Sequence, residues 1–210
     1  MGAYKRGITM NESNDKKLLF AVWQGFGLMV LVGFILIIVF RFGEVLPFVL
    51  DLFDTSDFGV IPALAVGAIS GLLMALLVTG VMVLTGTELP KNEMTELLEQ
   101  IVRMPGGLLT ISLGAGFAEE FLFRGVLVGL VIDVWPVWLV LTLNALLFMA
   151  VHVPQYRGKP LMHLTIFIMG LWLAFLFYWT SSLLAPIIAH AIYNGVLGYH
   201  LKKQGKAEDN

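Results

Sequence analysis

The sequence predicts an all-α fold, a multi-pass transmembrane helical bundle of about six spans, and three observations carry that prediction. The 210 residues are 58% hydrophobic and 13% charged, against about 45–50% and about 25% in soluble domains. Apolar runs recur along the chain at the length of about 20 residues that a helix needs to cross a hydrocarbon core of about 30 Å. The basic residues cluster in alternate connections, as membrane topology requires. Cysteine is absent, which excludes a disulfide framework, a thiol nucleophile and a thiolate metal site. No basic tract points to nucleic acid, and membrane lipids are the expected surroundings. The net charge of −2 says little, because the placement of charge matters more than its sum in such a chain.

The first span is predicted from Leu18 to Phe40, behind a polar stretch, 1–17, that serves as a cytoplasmic tail. That run lacks a small-residue cleavage site and reads as a retained anchor. The second runs from Gly59 to Leu84. Between them Glu44, Asp51, Asp54 and Asp57 alternate with Leu46, Phe48, Leu50 and Leu52, the pattern of an external amphipathic segment near the headgroups. From Pro90 to Met104, Leu97, Leu98, Ile101 and Val102 interleave with Glu93, Glu96 and Glu99, which predicts a short amphipathic cytoplasmic helix.

Four further spans follow, from Leu108 to Ile132, Val137 to Val153, Leu161 to Trp179 and Leu183 to Leu201. The last two share a run without Lys, Arg, Asp or Glu. Their division rests on length, on the break Thr180-Ser181-Ser182, and on Pro186, which suits a first helical turn. The organisation is therefore a tail (1–17), two N-terminal spans with amphipathic linkers (18–107), a motif-bearing four-helix core (108–201) and a cytoplasmic tail (202–210). Gly67 with Gly71, and Gly125 with Gly129, have the spacing of close helix contacts. No internal repeat is visible, so an inverted-repeat transporter has no support.

Charge placement tests the six-span reading. With the N-terminus in the cytoplasm, eleven of the 13 Lys and Arg fall in cytoplasmic segments, Arg41 alone lies outside, and Arg124 is inside the membrane. A five- or seven-span chain would break this alternation. Both termini are expected in the cytoplasm.

The costliest stretch is Glu119-Glu120-Phe121-Leu122-Phe123-Arg124-Gly125. A charge at the bilayer centre costs about 2.5–3.5 kcal/mol on insertion scales, so each must be paired, hydrated or functional. At about 100° per residue, Arg124 lies about 40° from Glu120 and about 140° from Glu119. Glu120 and Arg124 are thus the natural pair. Glu119 is left over, a desolvated carboxylate suited to general-base work. Asn144, Phe148 and His152 follow at i,i+4 spacing on the fourth span, and His190 and Asn194 on the sixth. Singly, each reads as helix-to-helix packing. Together, Glu119, His152 and His190 are a set that either holds Zn²⁺ or activates water without metal. His152, beside Pro154 at the cytoplasmic end, can join the others only if its helix is short, tilted or sunk. His163 and His200 lie near helix ends, and the five tryptophans read as interface or packing residues.

Glu-Glu-x-x-x-Arg, Phe-x-x-x-His and His-x-x-x-Asn, in this order on separate membrane helices, resemble the type II CAAX prenyl endopeptidases, the Abi or CPBP family of intramembrane proteases. The resemblance covers about Leu108 to Leu201. It implies a bundle with a cavity open to the cytosol, in which Glu119 and His152 activate water and His190 and Asn194 face the oxyanion. Glu120, Arg124 and Phe148 then support the site. The implied substrate is a membrane-anchored or lipid-modified, CAAX-like protein or peptide. A bacteriocin self-immunity or peptide-processing role within the same family is a second reading. Outside it stand a proton-coupled transporter, with Glu119, His152 and His190 as a relay, and a non-enzymatic scaffold. Zinc and metal-free chemistry both stay open, with Glu119, His152 and His190 as the possible ligands, and the oligomeric state is not readable.

Overall fold

The computed structural model describes residues 12–208, and side chains over 13–203. Residues 1–11, most of the expected N-terminal tail, and 209–210 lie outside the described residues. Every regular element among the described residues is helical. α1 spans Glu12–Phe40, α2 Val45–Asp51, α3 Val60–Thr85 and α4 Glu93–Arg103. A composite helix over 107–128 comes next. It joins α5 (Gly107–Leu109), a π-helical segment (Thr110–Ala115), α6 (Gly116–Glu120) and a second π-helical segment (Phe121–Val128). α7 (Val137–His152), α8 (Pro160–Thr180) and α9 (Leu184–Glu208) complete the chain.

Three helical segments, Ser13–Phe40, Val60–Thr85 and Pro160–Thr180, are long and apolar enough to cross a membrane. Val137–His152 is apolar but shorter. The composite helix carries Glu119, Glu120 and Arg124, which lowers its hydropathy. The outward faces of the long helices carry many apolar residues: Leu72, Leu73 and Leu76 on α3, and all five tryptophans, are among the exposed large hydrophobics. Lipid rather than water suits such a surface.

Some predicted boundaries need correction. α1 is described from Glu12, so the helix extends ahead of the predicted span start at Leu18, because polar residues continue the same backbone hydrogen bonding. At the other end, α9 runs through most of the expected tail. The third predicted span is not a regular α-helix to Ile132. Its last helical segment ends at Val128, and turns carry the chain to α7.

The uncertain division between the last two spans is sharp. Ser181 takes left-handed φ 52°, which α8 cannot continue through. Leu183 N–H then donates to Leu52 O at 2.8 Å, so the segment after α2 pins the start of α9. α4 opens on a capping box: Asn92 Oδ1 accepts from Thr95 N–H at 3.0 Å, and Asn92 N–H donates to Thr95 Oγ1 at 3.1 Å. Its apolar face buries Ile101 and Val102. α3 lies directly against α9, as the glycine spacing predicts. A Cβ on Gly67 would stand 2.6 Å from Ala185 O, and one on Gly71 2.5 Å from Ala189 O.

Candidate active site

Glu119 and Glu120 stand on α6 between the two π-helical segments. Each π turn holds an extra residue, and such turns inside α-helices are frequent at functional sites because they re-aim side chains. Glu120 and Arg124 are both fully buried. Glu120 Oε1 accepts from Arg124 Nη1 at 2.9 Å, the expected pair. It also pairs with His190 Nδ1 at 2.7 Å, a contact that helical phase within one span cannot reveal. Arg124 Nη2 donates to Gly170 O at 3.0 Å, which ties the composite helix to α8. Its guanidinium lies 4.3 Å from the centre of the Phe148 ring, the face-on placement that attracts a cation.

Phe148 is the hub of the cluster. Its ring centre is 4.7 Å from that of His152 and 6.1 Å, edge-on, from that of His190. Asn144, from the same face of α7, donates to Phe123 O at 2.8 Å, so it anchors the composite helix.

Glu119 turns away from this pair. Its Oε2 lies 4.0 Å from His152 Nε2 and 4.0 Å from His190 Nε2. That oxygen is buried and makes no hydrogen bond within the described chain. The two imidazoles are held in the same sense. His152 Nδ1 is 2.8 Å from Phe148 O, and a carbonyl only accepts, so Nδ1 carries the hydrogen. His190 Nδ1 likewise donates to the Glu120 carboxylate. Each ring thus presents Nε2 to Glu119, and the tautomers follow from these partners. His152 reaches the others because α7 is short, 16 residues, and ends on it. Separations of 4.0 Å are too long for direct hydrogen bonds and suit a bridging water.

A zinc ion would fit differently. At metal–ligand distances of about 2.0–2.2 Å, tetrahedral ligand atoms sit about 3.3–3.5 Å apart, closer than the 4.0 Å between Glu119 Oε2 and each Nε2. Among the described residues no group of three His, Cys, Asp or Glu is arranged to hold a metal ion.

Asn194, one turn beyond His190, lines a cavity of about 240 Å³ with Val102, Ile111, Tyr156 and Tyr193. α3, α4, α9 and the turn after α7 enclose it. His200 also lines it, and Glu119, His152 and His190 do not. His163 stands on the first turn of α8, its Nε2 buried without a hydrogen bond. A larger void, about 680 Å³, at the other end of α1 is lined by Leu36, Arg41, Glu44 and Leu127 and by none of the cluster residues.

Tyr156 is the residue that sequence reasoning missed. It continues the series Asn144, Phe148, His152 by one more step of four, and its N–H donates to His152 O at 3.3 Å. Pro154 conceals the signal, because a proline normally ends a helical pattern.

Residues 102–196 match the family model described as type II CAAX prenyl endopeptidase, Rce1-like. The matched segment coincides with the motif-bearing helices and holds Glu119, His152, His190 and Asn194. No curated protein and no solved structure matches the chain.

Proposed function

We propose that this chain is an intramembrane endopeptidase that hydrolyses a peptide bond in a membrane-anchored or lipid-modified, CAAX-like protein or peptide. One observation carries the reading: inside a segment that matches a protease family, the Glu119 carboxylate stands equidistant from two imidazole Nε2 atoms. The chain crosses the membrane six times in this reading, with both termini cytoplasmic, and the site opens to the cytosol beside α4.

Water between Glu119 and His152 is the nucleophile. Glu119 accepts its proton as the water oxygen bonds to the scissile carbonyl carbon, and the carbonyl π pair moves to oxygen. The tetrahedral oxyanion is faced by the Asn194 amide, and by His190 Nε2 when that atom carries a proton. Collapse breaks the C–N bond, and the proton returns from Glu119 to the leaving amine. Desolvation by the surrounding bundle strengthens each of these interactions. Glu120 and Arg124 hold His190, the composite helix and α8 in register.

The purified protein in detergent should cleave prenylated or otherwise membrane-anchored peptides, and Glu119→Ala should abolish cleavage. A protein that cleaves none of them but supports pH-linked flux in empty vesicles would be a transporter instead. The spacing around Glu119 further predicts that the active protein keeps its rate after chelation, with no stoichiometric zinc by elemental analysis.

A further inference from the structure

Amide hydrolysis needs hydrogen-bond donors where the oxyanion forms, and two are the common provision. The described site is short of them. Both histidines have spent their Nδ1 hydrogens, on Phe148 O and on Glu120, and both aim Nε2 at Glu119. His190 therefore donates to an oxyanion only as the imidazolium. Asn194, one turn beyond His190, is a neutral donor that lines the cavity.

Tyr156 supplies another. It sits one turn beyond His152, packs against the cluster of Phe123, Phe148 and Ile166, and lines the same cavity as Asn194. Gln155 Nε2 donates to its phenol oxygen at 3.0 Å. That bond occupies the oxygen as acceptor and leaves the phenol hydrogen to point elsewhere; it also polarises the O–H into a better donor. Gln155 is itself held in place, because Asn92 Nδ2 donates to its backbone oxygen at 2.8 Å, and Asn92 is the cap of α4. Burial, and then the negative charge of Glu119, push the Tyr156 phenol up to about 12. It stays protonated at neutral pH, as a donor must, and the bond from its N–H to His152 O, 3.3 Å, sets it one turn from that imidazole.

Resting on the hydrolytic reading above, we propose that Tyr156 is a catalytic residue, whose phenol O–H donates beside Asn194 to the oxyanion formed when water adds to the scissile carbonyl. Tyr156→Phe removes the donor and keeps the ring packed on Phe148. Loss of one oxyanion donor typically costs about 10²- to 10³-fold in kcat, and an interaction made only in the transition state leaves KM nearly unchanged.

The test compares wild type, Tyr156→Phe and, as a control, Tyr178→Phe on the exposed face of α8. Steady-state kinetics on a membrane-anchored peptide and thermal stability are measured for each. Tyr156→Phe is expected to lose about 10²-fold in kcat at unchanged KM and melting temperature, while Tyr178→Phe matches wild type. An active wild type whose Tyr156→Phe variant keeps kcat within about threefold, well short of an oxyanion donor's effect, overturns this inference and leaves the hydrolytic reading standing. So does a loss confined to KM or matched by a fall in melting temperature. A wild-type protein that cleaves nothing overturns both.

Discussion

Arg124 has no solvent exposure, yet its charge is met from several sides: the Glu120 carboxylate, Gly170 O and the Phe148 face. Breaking a buried ion pair by removing one partner costs about 3–5 kcal/mol, because the remaining charge is stranded. Arg124→Ala should therefore lower both membrane protein level and melting temperature, and Arg124→Lys should rescue only part, since an ammonium cannot reproduce the forked contacts. Asn194→Ala behaves oppositely. Its amide lies in the cavity wall, so the level should hold while kcat falls about 10²- to 10³-fold; expression and turnover measured side by side separate the two residues. Phase along one helix was enough to pair Glu120 with Arg124 and leave Glu119 over. It could not reveal that Glu120 also grips His190, 70 residues away, because that contact depends on how α9 packs against the composite helix.

At the scale of elements, the α3–α9 contact is the tightest seam. The atoms that a new methyl would meet there are backbone carbonyl oxygens of α9, which cannot rotate away as a side chain can. Gly71→Val should separate the helices and lower the melting temperature by more than the same change at Gly80, where a Cβ meets nothing within 4 Å; a thermal shift no larger than at Gly80 would refute the seam. α4 was legible from its apolar period, and its cap follows from Asn92 and Thr95. The π-helical segments around α6 were not, since no local residue pattern distinguishes them from ordinary turns. They flank the short α segment that carries Glu119 and Glu120.

At the scale of the molecule, the topology expected from charge placement can be tested cleanly, because the chain has no cysteine of its own. Cysteines introduced at Asn14 and Lys203 should react with an impermeant thiol reagent only from the cytoplasmic side, and one at Ser56 only from outside. The same pattern at all three sites would overturn the six-span reading. By itself the sequence determined the helical class, the places of its breaks, the odd carboxylate and the family-like motifs, since hydropathy, helical phase and residue order are properties of neighbouring residues. Only the tertiary structure decided which atoms meet. It ended α7 on His152 so that this ring reaches Glu119, turned both Nε2 atoms toward one oxygen, and brought Tyr156 past a proline into the cavity of Asn194. Those outcomes depend on angles and depths between helices, set by packing of residues far apart in the chain, to which no local pattern is sensitive.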